Sequence, residues 1–124
     1  MDTNEVTGQI IDAAMKVHSA LGPGLLENAY KACLQYELQR RKLKTLSEVQ
    51  LPIRYYGVNL DVGYRIDLLV EDSVIVELKA VGSVLPIHTA QLFSYLRLSG
   101  HRLGLLINFN VLHLKEGIQR IAYD

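Results

Sequence analysis

Residues 63–80 read GYRIDLLVEDSVIVELKA. Two runs that are rich in apolar and β-branched residues flank the polar triplet 71–73, a pattern typical of two strands joined by a short turn. If Glu71-Asp72-Ser73 is a three-residue loop, Val70 pairs with Val74 and every later pair follows from that register. Both faces of the hairpin carry apolar side chains, so we expect both faces to be buried.

Charged residues interrupt this hairpin at matching positions. In the predicted register Asp67 lies opposite Glu77, and Arg65 lies opposite Lys79 on the same face. Directly opposed side chains have Cβ atoms about 4.5–5.5 Å apart, and like charges so placed repel each other. Because a buried pair of carboxylates needs a compensating cation, the sequence predicts a cation beside Asp67 and Glu77.

Two interpretations of that cation are open. In the first, which needs no function, Asp67 pairs diagonally with Lys79 and Arg65 pairs with Glu77, since long side chains reach diagonal neighbours at about 7–8 Å. In the second, a divalent ion lies between the carboxylates; Mg²⁺ commonly binds through one or two carboxylates, waters and substrate phosphates. Lys79 would then point the same way and could orient an attacking water or stabilise charge on a phosphate.

The period of apolar residues changes along the chain and predicts the remaining elements. Helical spacing runs from Val6 to Leu21, with Thr3 or Asn4 as the cap, and again from just after Gly24 to about Leu43. A period of two then predicts strands at about 48–56, 60–70 and 74–80, with turns near 57–59 and 71–73. A helix at 88–99, a buried strand at 103–109 and a short strand near 118–123 follow. The order ααβββαββ predicts an α/β (α+β) fold, a mixed β-sheet flanked by helices, in one domain of residues 1–124.

Charge and composition limit the kinds of partner. The chain has 13 basic and 13 acidic residues, whereas proteins that bind DNA through phosphate contacts usually carry a basic excess. A nucleic-acid surface must therefore be local, as at 40–42, shared between two subunits, or weak. For a homodimer the apolar run 103–107 is a seam if it lies at a sheet edge; as a central strand it would simply be buried.

The sequence also predicts the compartment. There is a single cysteine, which excludes an internal disulfide, and no cluster has zinc-ligand spacing. Residues 1–5 lack the basic and apolar regions of a signal peptide, and no apolar run approaches the ~20 residues of a membrane span. We expect a cytoplasmic protein without a membrane partner.

Three motifs resemble those of known nucleases. Asp67 followed by Glu77-Leu78-Lys79 is similar to the signature of the PD-(D/E)xK nuclease superfamily, with Ile66 where a proline sometimes precedes the acid. GLLENAY at 24–30 fits Gly-x-x-Glu-x-x-Tyr, for which the GxxExxY proteins are named, and QLFSY at 91–95 resembles the Gln-x-x-x-Tyr element of the RecB-type branch. The resemblance extends from about residue 5 to 123.

The resemblance implies a restriction-endonuclease-like core and hydrolysis of nucleic-acid phosphodiester bonds, of DNA more than RNA, with Mg²⁺ or Mn²⁺. It assigns metal binding to Asp67, Glu77 and the backbone carbonyl of Leu78, with Lys79 assisting catalysis. Glu27 would bind the metal directly or through water, or would only stabilise its helix terminus. Two alternatives to nucleic-acid cleavage stay open, a non-cleaving module that binds nucleic acid or protein on the same fold and a phosphohydrolase of small nucleotides.

The helix at 88–99 supplies the remaining candidates. Gln91 and Tyr95 are four residues apart and share one face, and the resemblance places them near the active site, where they position a phosphate or brace Lys79. Tyr95 is equally compatible with a packing role, and we expect Tyr30 to be a packing residue. His88 either caps the helix or contacts substrate.

Overall fold

Three α-helices and seven strands make up the chain in the computed structural model, which describes residues 1–124. The helices are α1 (Thr3–Leu21), α2 (Glu27–Arg40) and α3 (Pro86–Ser99). The strands are β1 (Thr45–Gln50), β2 (Ile53–Tyr55), β3 (Val58–Leu60), β4 (Arg65–Val70), β5 (Val74–Lys79), β6 (Leu103–Asn108) and β7 (Ile118–Ala122), and a short 3₁₀ helix spans Leu114–Gly117. None of the helices combines the length and the apolar character that crossing a bilayer requires.

Five of the strands form one mixed sheet in the order β1-β4-β5-β6-β7. Strands β5 and β6 are parallel, because α3 connects them, and the other neighbours are antiparallel. The two short strands β2 and β3 pair only with each other. The predicted mixed sheet flanked by helices is confirmed, and it is consistent with a restriction-endonuclease-like core.

The hairpin of β4 and β5 has the predicted register. Val70 pairs with Val74, Leu69 with Ile75 and Leu68 with Val76. Two residues of the loop, Glu71 and Asp72, take left-handed backbone conformations with φ of 53° and 49°. The loop is closed by the Ser73 N–H, which donates to the Val70 carbonyl at 3.0 Å. The three-residue loop deduced from the sequence is therefore correct.

Other predicted boundaries were wrong. The predicted strand at 48–56 is broken at Leu51-Pro52, since proline cannot donate a ladder hydrogen bond, and the one at 60–70 is broken at 61–64. The turn between β2 and β3 lies at Tyr56-Gly57, where φ is 50° and 77°. These breaks convert two predicted strands into four.

The first helix ends at Leu21 as predicted but has a different cap, and the second helix ends earlier than predicted. The α1 cap is Asp2, whose carboxylate accepts from the Glu5 N–H at 2.9 Å, and not Thr3 or Asn4. Helix α2 stops at Arg40 because Lys42 takes a left-handed φ of 63° and the Leu43 N–H returns to the Leu38 carbonyl at 3.1 Å. The chain then turns directly into β1.

Each face of the sheet has its own core. Helices α1 and α2 pack against one face, in a cluster that includes Ile10, Leu34 and Leu68. Helix α3 packs on the other face, in a smaller cluster that includes Leu92 and Ile75. The hairpin of β4 and β5 therefore lies between two helical layers, which buries both of its faces.

Tyr30 is a packing residue, as expected. Its ring is fully buried and stacks on Phe109 with centroids 4.6 Å apart. Its hydroxyl donates to the Gly22 carbonyl at 2.6 Å and accepts from the Leu25 N–H at 3.1 Å. These contacts fix the loop that leads into α2, and so they fix where α2 begins.

The structure shows the surroundings of two segments that the sequence offered as interaction surfaces, the apolar run 103–107 and the basic cluster 40–42. Strand β6 lies between β5 and β7 with every residue buried. Of the two alternatives for residues 103–107, the buried central strand is therefore confirmed, and the segment is not a dimer seam. At the end of α2, Arg41 pairs with Glu37 at 3.0 Å and with Asp12 at 2.8 Å, and Arg40 pairs with Glu37 at 3.3 Å. Most of this basic cluster is neutralised within the protein.

Candidate active site

The hairpin opens at its two carboxylates. Beyond the pair of Leu68 and Val76 the backbone ladder stops, and side chains take over its hydrogen bonds. The Asp67 N–H donates to Glu77 Oε2 at 2.8 Å, and the Leu78 N–H donates to Asp67 Oδ2 at 2.9 Å. Asp67 and Glu77 are thus brought together in the opening, as the register predicts, although no backbone-to-backbone hydrogen bond joins them.

Burial makes both carboxylates costly to ionise. Glu77 is only 5% exposed, and burial together with the charge of Asp67 raises its pKa to about 8. Burial also raises the pKa of Asp67, although the hydrogen bond from Leu78 opposes that shift. A cation placed between them would therefore relieve both the desolvation and the repulsion.

The two cross-strand salt bridges do not form. Arg65 pairs with Asp61 at 3.2 Å and with no other carboxylate. No carboxylate lies within 4.0 Å of the Lys79 ammonium. The interpretation in which Asp67 and Glu77 serve only as salt-bridge partners of Lys79 and Arg65 was wrong.

Lys79 is the last residue of β5 and is half-buried. It lies two residues after Glu77, so its side chain leaves the same face of the strand. The strand end is fixed from β6: the Phe109 N–H donates to the Lys79 carbonyl at 2.9 Å. Asn108, which the sequence reasoning missed, accepts from the Val81 N–H at 3.1 Å and donates to the Val81 carbonyl at 3.0 Å.

Helix α2 adds a carboxylate and an amine. Glu27 is its first residue and is half-buried; burial and then the charge of Asp67 raise its pKa. Lys31, one turn later, bonds to Glu48, and this hydrogen bond and the nearby Asp67 and Glu27 raise its pKa. The sequence analysis did not single out Lys31 or Glu48. The i, i+4 spacing from Glu27 was a usable signal for Lys31, whereas nothing marked Glu48.

Helix α3 places Tyr95 beside the opening. The side chain is 6% exposed, and burial and the charge of Glu77 raise its pKa to about 12. Among the tyrosines only Tyr30 has a hydrogen-bonded hydroxyl, so the Tyr95 hydroxyl has no protein partner. Its ring lies 5.8 Å from that of Tyr64.

The other α3 candidates are placed less centrally. Gln91 is half-buried one turn before Tyr95 and makes no hydrogen bond to Lys79, so it does not brace that residue here. His88 caps the helix, since its Nδ1 accepts from the Leu85 N–H at 3.0 Å. Of its two predicted roles, the structure shows the capping one.

The donors at the opening suit only some metals. No group of three or more His, Cys, Asp or Glu side chains is close enough to hold a metal ion by itself. Mg²⁺ does not require such a cage, because it retains several waters and binds through one or two carboxylates and substrate phosphates. Asp67 and Glu77 therefore fit a hydrated, oxygen-seeking cation, and do not fit a closed zinc-type site.

The fold and the opening together define a class of protein. A mixed sheet between helical layers, with an Asp and a Glu-x-Lys where two of its strands separate, is the arrangement of a nuclease-fold protein. The family model described as the PD-(D/E)XK nuclease superfamily matches residues 4–121, and the chain belongs to this superfamily. Nucleases of this superfamily generally use divalent metals. No curated protein and no solved structure matches the chain.

Proposed function

We propose that this chain is a metal-dependent nuclease that hydrolyses phosphodiester bonds of nucleic acid, DNA in preference to RNA, with Mg²⁺ or Mn²⁺. The observation that carries the proposal is the convergence of Asp67 and Glu77 in the strand opening, with the Lys79 ammonium free of any carboxylate partner. Membership of the PD-(D/E)XK superfamily supports it.

Asp67, Glu77 and the backbone carbonyl of Leu78 would hold the metal. Glu27 would bind it directly or through a water, since its pKa already responds to the charge of Asp67. A bound divalent ion supplies two things at such a site, a more acidic water and polarisation of a phosphoryl oxygen. The hydrogen bonds from Asp67 N–H and Leu78 N–H hold the two carboxylates in place before any ion arrives.

Lys79 would stabilise the negative charge that develops on the phosphate during attack. Its ammonium has no salt-bridge partner, so its three donors remain available to a phosphate oxygen or to the attacking water. Interactions that are aimed in advance at developing charge are worth about 100- to 1,000-fold in rate. We therefore assign Lys79 a catalytic role and expect it to contribute little to metal binding.

Tyr95 and Gln91 would position the substrate. With its pKa raised to about 12, Tyr95 keeps its proton at neutral pH and can donate a hydrogen bond to a phosphate oxygen. Gln91 lies one turn away on the same helix face and offers an amide to the same strand. Both residues are on α3, which packs on the face of the sheet opposite to α2.

The shape of the surface favours a polymer over a small nucleotide. Sites for small molecules are concave and bury about 70–90% of the ligand surface. The surface has three cavities, and none is lined by Asp67, Glu77 or Lys79. We therefore favour a substrate that lies across the surface over one that is enclosed in a cavity.

The test is cleavage of single- and double-stranded DNA and RNA with Mg²⁺, with Mn²⁺ and with EDTA. We expect metal-dependent cleavage that Lys79→Met reduces by at least about 100-fold. The control is Lys115→Met, which removes an exposed lysine of the 3₁₀ helix and should leave cleavage unchanged. Binding without cleavage of any substrate would contradict the proposal and would identify a non-cleaving module.

A further inference from the structure

The hairpin formed by β2 and β3, residues 53–60, exposes aromatic and apolar side chains. Tyr56 is 89% exposed and Tyr55 62%, and their rings contact edge to face with centroids 4.6 Å apart. Neither core cluster includes a residue of this hairpin. We name residues 53–60 the tyrosine hairpin.

The tyrosine hairpin begins at the end of the sheet that carries the candidate active site. It connects the end of β1 to the start of β4, and Asp67 is the third residue of β4. Its base is fixed by the Leu51 N–H, which donates to the Tyr64 carbonyl at 3.0 Å. The Tyr64 ring in turn contacts Tyr95, whose pKa responds to Glu77. The contact between the Tyr64 and Tyr95 rings therefore links the hairpin base to the helix beside the opening.

From this placement we propose that the tyrosine hairpin is a stacking platform for unpaired bases of a DNA or RNA strand. The proposal rests on the proposed function, because it takes the strand that crosses the opening as its ligand. A base stacked on an aromatic side chain contributes about 1–3 kcal/mol whatever its sequence. Arg54, the exposed middle residue of β2, adds a cation to the hairpin.

The charge of the chain favours this ligand and this mode of binding. With 13 basic and 13 acidic residues, the protein has no general attraction for phosphates, and the acidic side chains of the opening add none in the absence of metal. Stacking does not depend on net charge and supplies affinity where phosphate contacts cannot. The ligand must have unpaired bases, because in a duplex the base faces are covered by neighbouring base pairs.

A tryptophan reporter tests the platform directly. The chain contains no tryptophan, so the indole introduced by Tyr56→Trp would be its only one. In EDTA, which prevents metal-dependent cleavage, we expect saturable quenching of its emission by single-stranded oligonucleotides and not by a duplex of the same sequence. The control is Tyr36→Trp, at a position on α2 that is 66% exposed and should show no quenching.

Alanine and phenylalanine variants separate stacking from the hydroxyl groups. Tyr55→Ala with Tyr56→Ala should weaken single-strand binding, measured by anisotropy, by about 5- to 150-fold per stacked base. Tyr55→Phe with Tyr56→Phe should retain binding, because the rings remain. Parallel DNA and RNA arms show which strand the platform accepts.

Three outcomes would overturn the inference: no quenching at position 56, equal quenching by duplex, or a wild-type dimer that the double alanine variant converts to monomer in light scattering. The last would make the hairpin a contact between copies of the chain. Failure of the proposed function is separable. Quenching without cleavage would contradict the nuclease proposal and support the stacking platform. Cleavage without quenching would support the nuclease proposal and contradict the stacking platform.

Discussion

The Asp67 N–H donates to the Glu77 carboxylate at 2.8 Å, although the two side chains are both acidic. The Leu78 N–H, on the strand of Glu77, donates in turn to the Asp67 carboxylate at 2.9 Å. Each carboxylate is therefore positioned by the backbone of the opposite strand, and not by a cation of the protein. This geometry keeps two acidic side chains close together, which links metal binding, pH and stability at one point of the fold.

The pH dependence of stability follows from the raised pKa of Glu77. Between its ordinary value of 4.5 and about 8, the folded state holds a proton that the unfolded state has released. This contribution to the free energy of unfolding is complete below about pH 4.5 and is lost as the pH rises through about 8. Urea unfolding of the metal-free protein should show this decline, and Glu77→Gln should reduce it.

Glu116→Gln is the matched control, since Glu116 is exposed in the 3₁₀ helix. It should leave the pH dependence as in the wild type. Asp67 also has a raised pKa and acts in the same direction, so Glu77→Gln should flatten the decline without abolishing it. An identical pH profile in Glu77→Gln and wild type would contradict the burial argument.

Divalent metal should stabilise the protein by mass action on the folded state. Mg²⁺ or Mn²⁺ at about 100 times its Kd adds about 2.7 kcal/mol to the free energy of unfolding, and we expect a Kd between the millimolar and micromolar ranges. The rise in Tm should be larger near pH 8.5 than near pH 6, because at the lower pH the ion must displace a proton. Differential scanning fluorimetry measures it.

Asp67→Asn should abolish the metal response. It should not destabilise the metal-free protein above about pH 8, where Glu77 is ionised and the substitution deletes a repulsion. Asp72→Asn is its control: Asp72 is an exposed loop residue with a left-handed backbone, which asparagine tolerates. A wild-type metal response in Asp67→Asn would place the ion elsewhere.

Much of the central hairpin could be predicted because its constraints are local. The loop 71–73 and the alternation of apolar residues fix the register of β4 and β5, and one residue of slippage would move every side chain to the other face. The positions of Asp67, Glu77 and Lys79 follow from that register alone. Pro52 also marked the break after β1, although the sequence analysis extended the strand through it.

The remaining features depend on contacts between distant segments. Lys31 and Glu48 meet only because α2 packs beside β1, and the end of β5 is fixed by Asn108 of the parallel neighbour β6. Neither contact leaves a periodic signal in the sequence. The sequence left both alternatives for residues 103–107 open for a related reason, because the same apolar run is compatible with a strand at a sheet edge and with one at its centre.

Tyr30→Phe isolates the hydroxyl that fixes the loop before α2. The variant keeps the ring stacked on Phe109 and loses the hydrogen bonds to Gly22 and Leu25. We expect a loss of about 1–2 kcal/mol in the free energy of unfolding, measured in urea. Tyr36→Phe, at an exposed position, should change nothing. Equal stability of the two variants would mean that solvent replaces both bonds.

Asn108→Ala tests how the strand end that carries Lys79 is held. Asn108 is 3% exposed, and its side chain bonds to the N–H groups of Val81 and Asn110 and to the Val81 carbonyl. Truncation leaves these groups without a partner, at about 1–3 kcal/mol for each one that stays buried. We expect a loss of stability of about 2–4 kcal/mol by urea unfolding.

The same variant should affect cleavage and metal binding differently. Asp67 and Glu77 are held by hydrogen bonds earlier in the hairpin, so the rise in Tm with Mg²⁺ should persist in Asn108→Ala. Lys79 lies next to the released segment, and its displacement should lower the cleavage rate with little change in metal affinity. Asn59→Ala, at an exposed position of β3, is the control for stability. Loss of the metal response together with cleavage would show that Asn108 supports the carboxylates as well, and that the end of β5 moves as one unit with the opening.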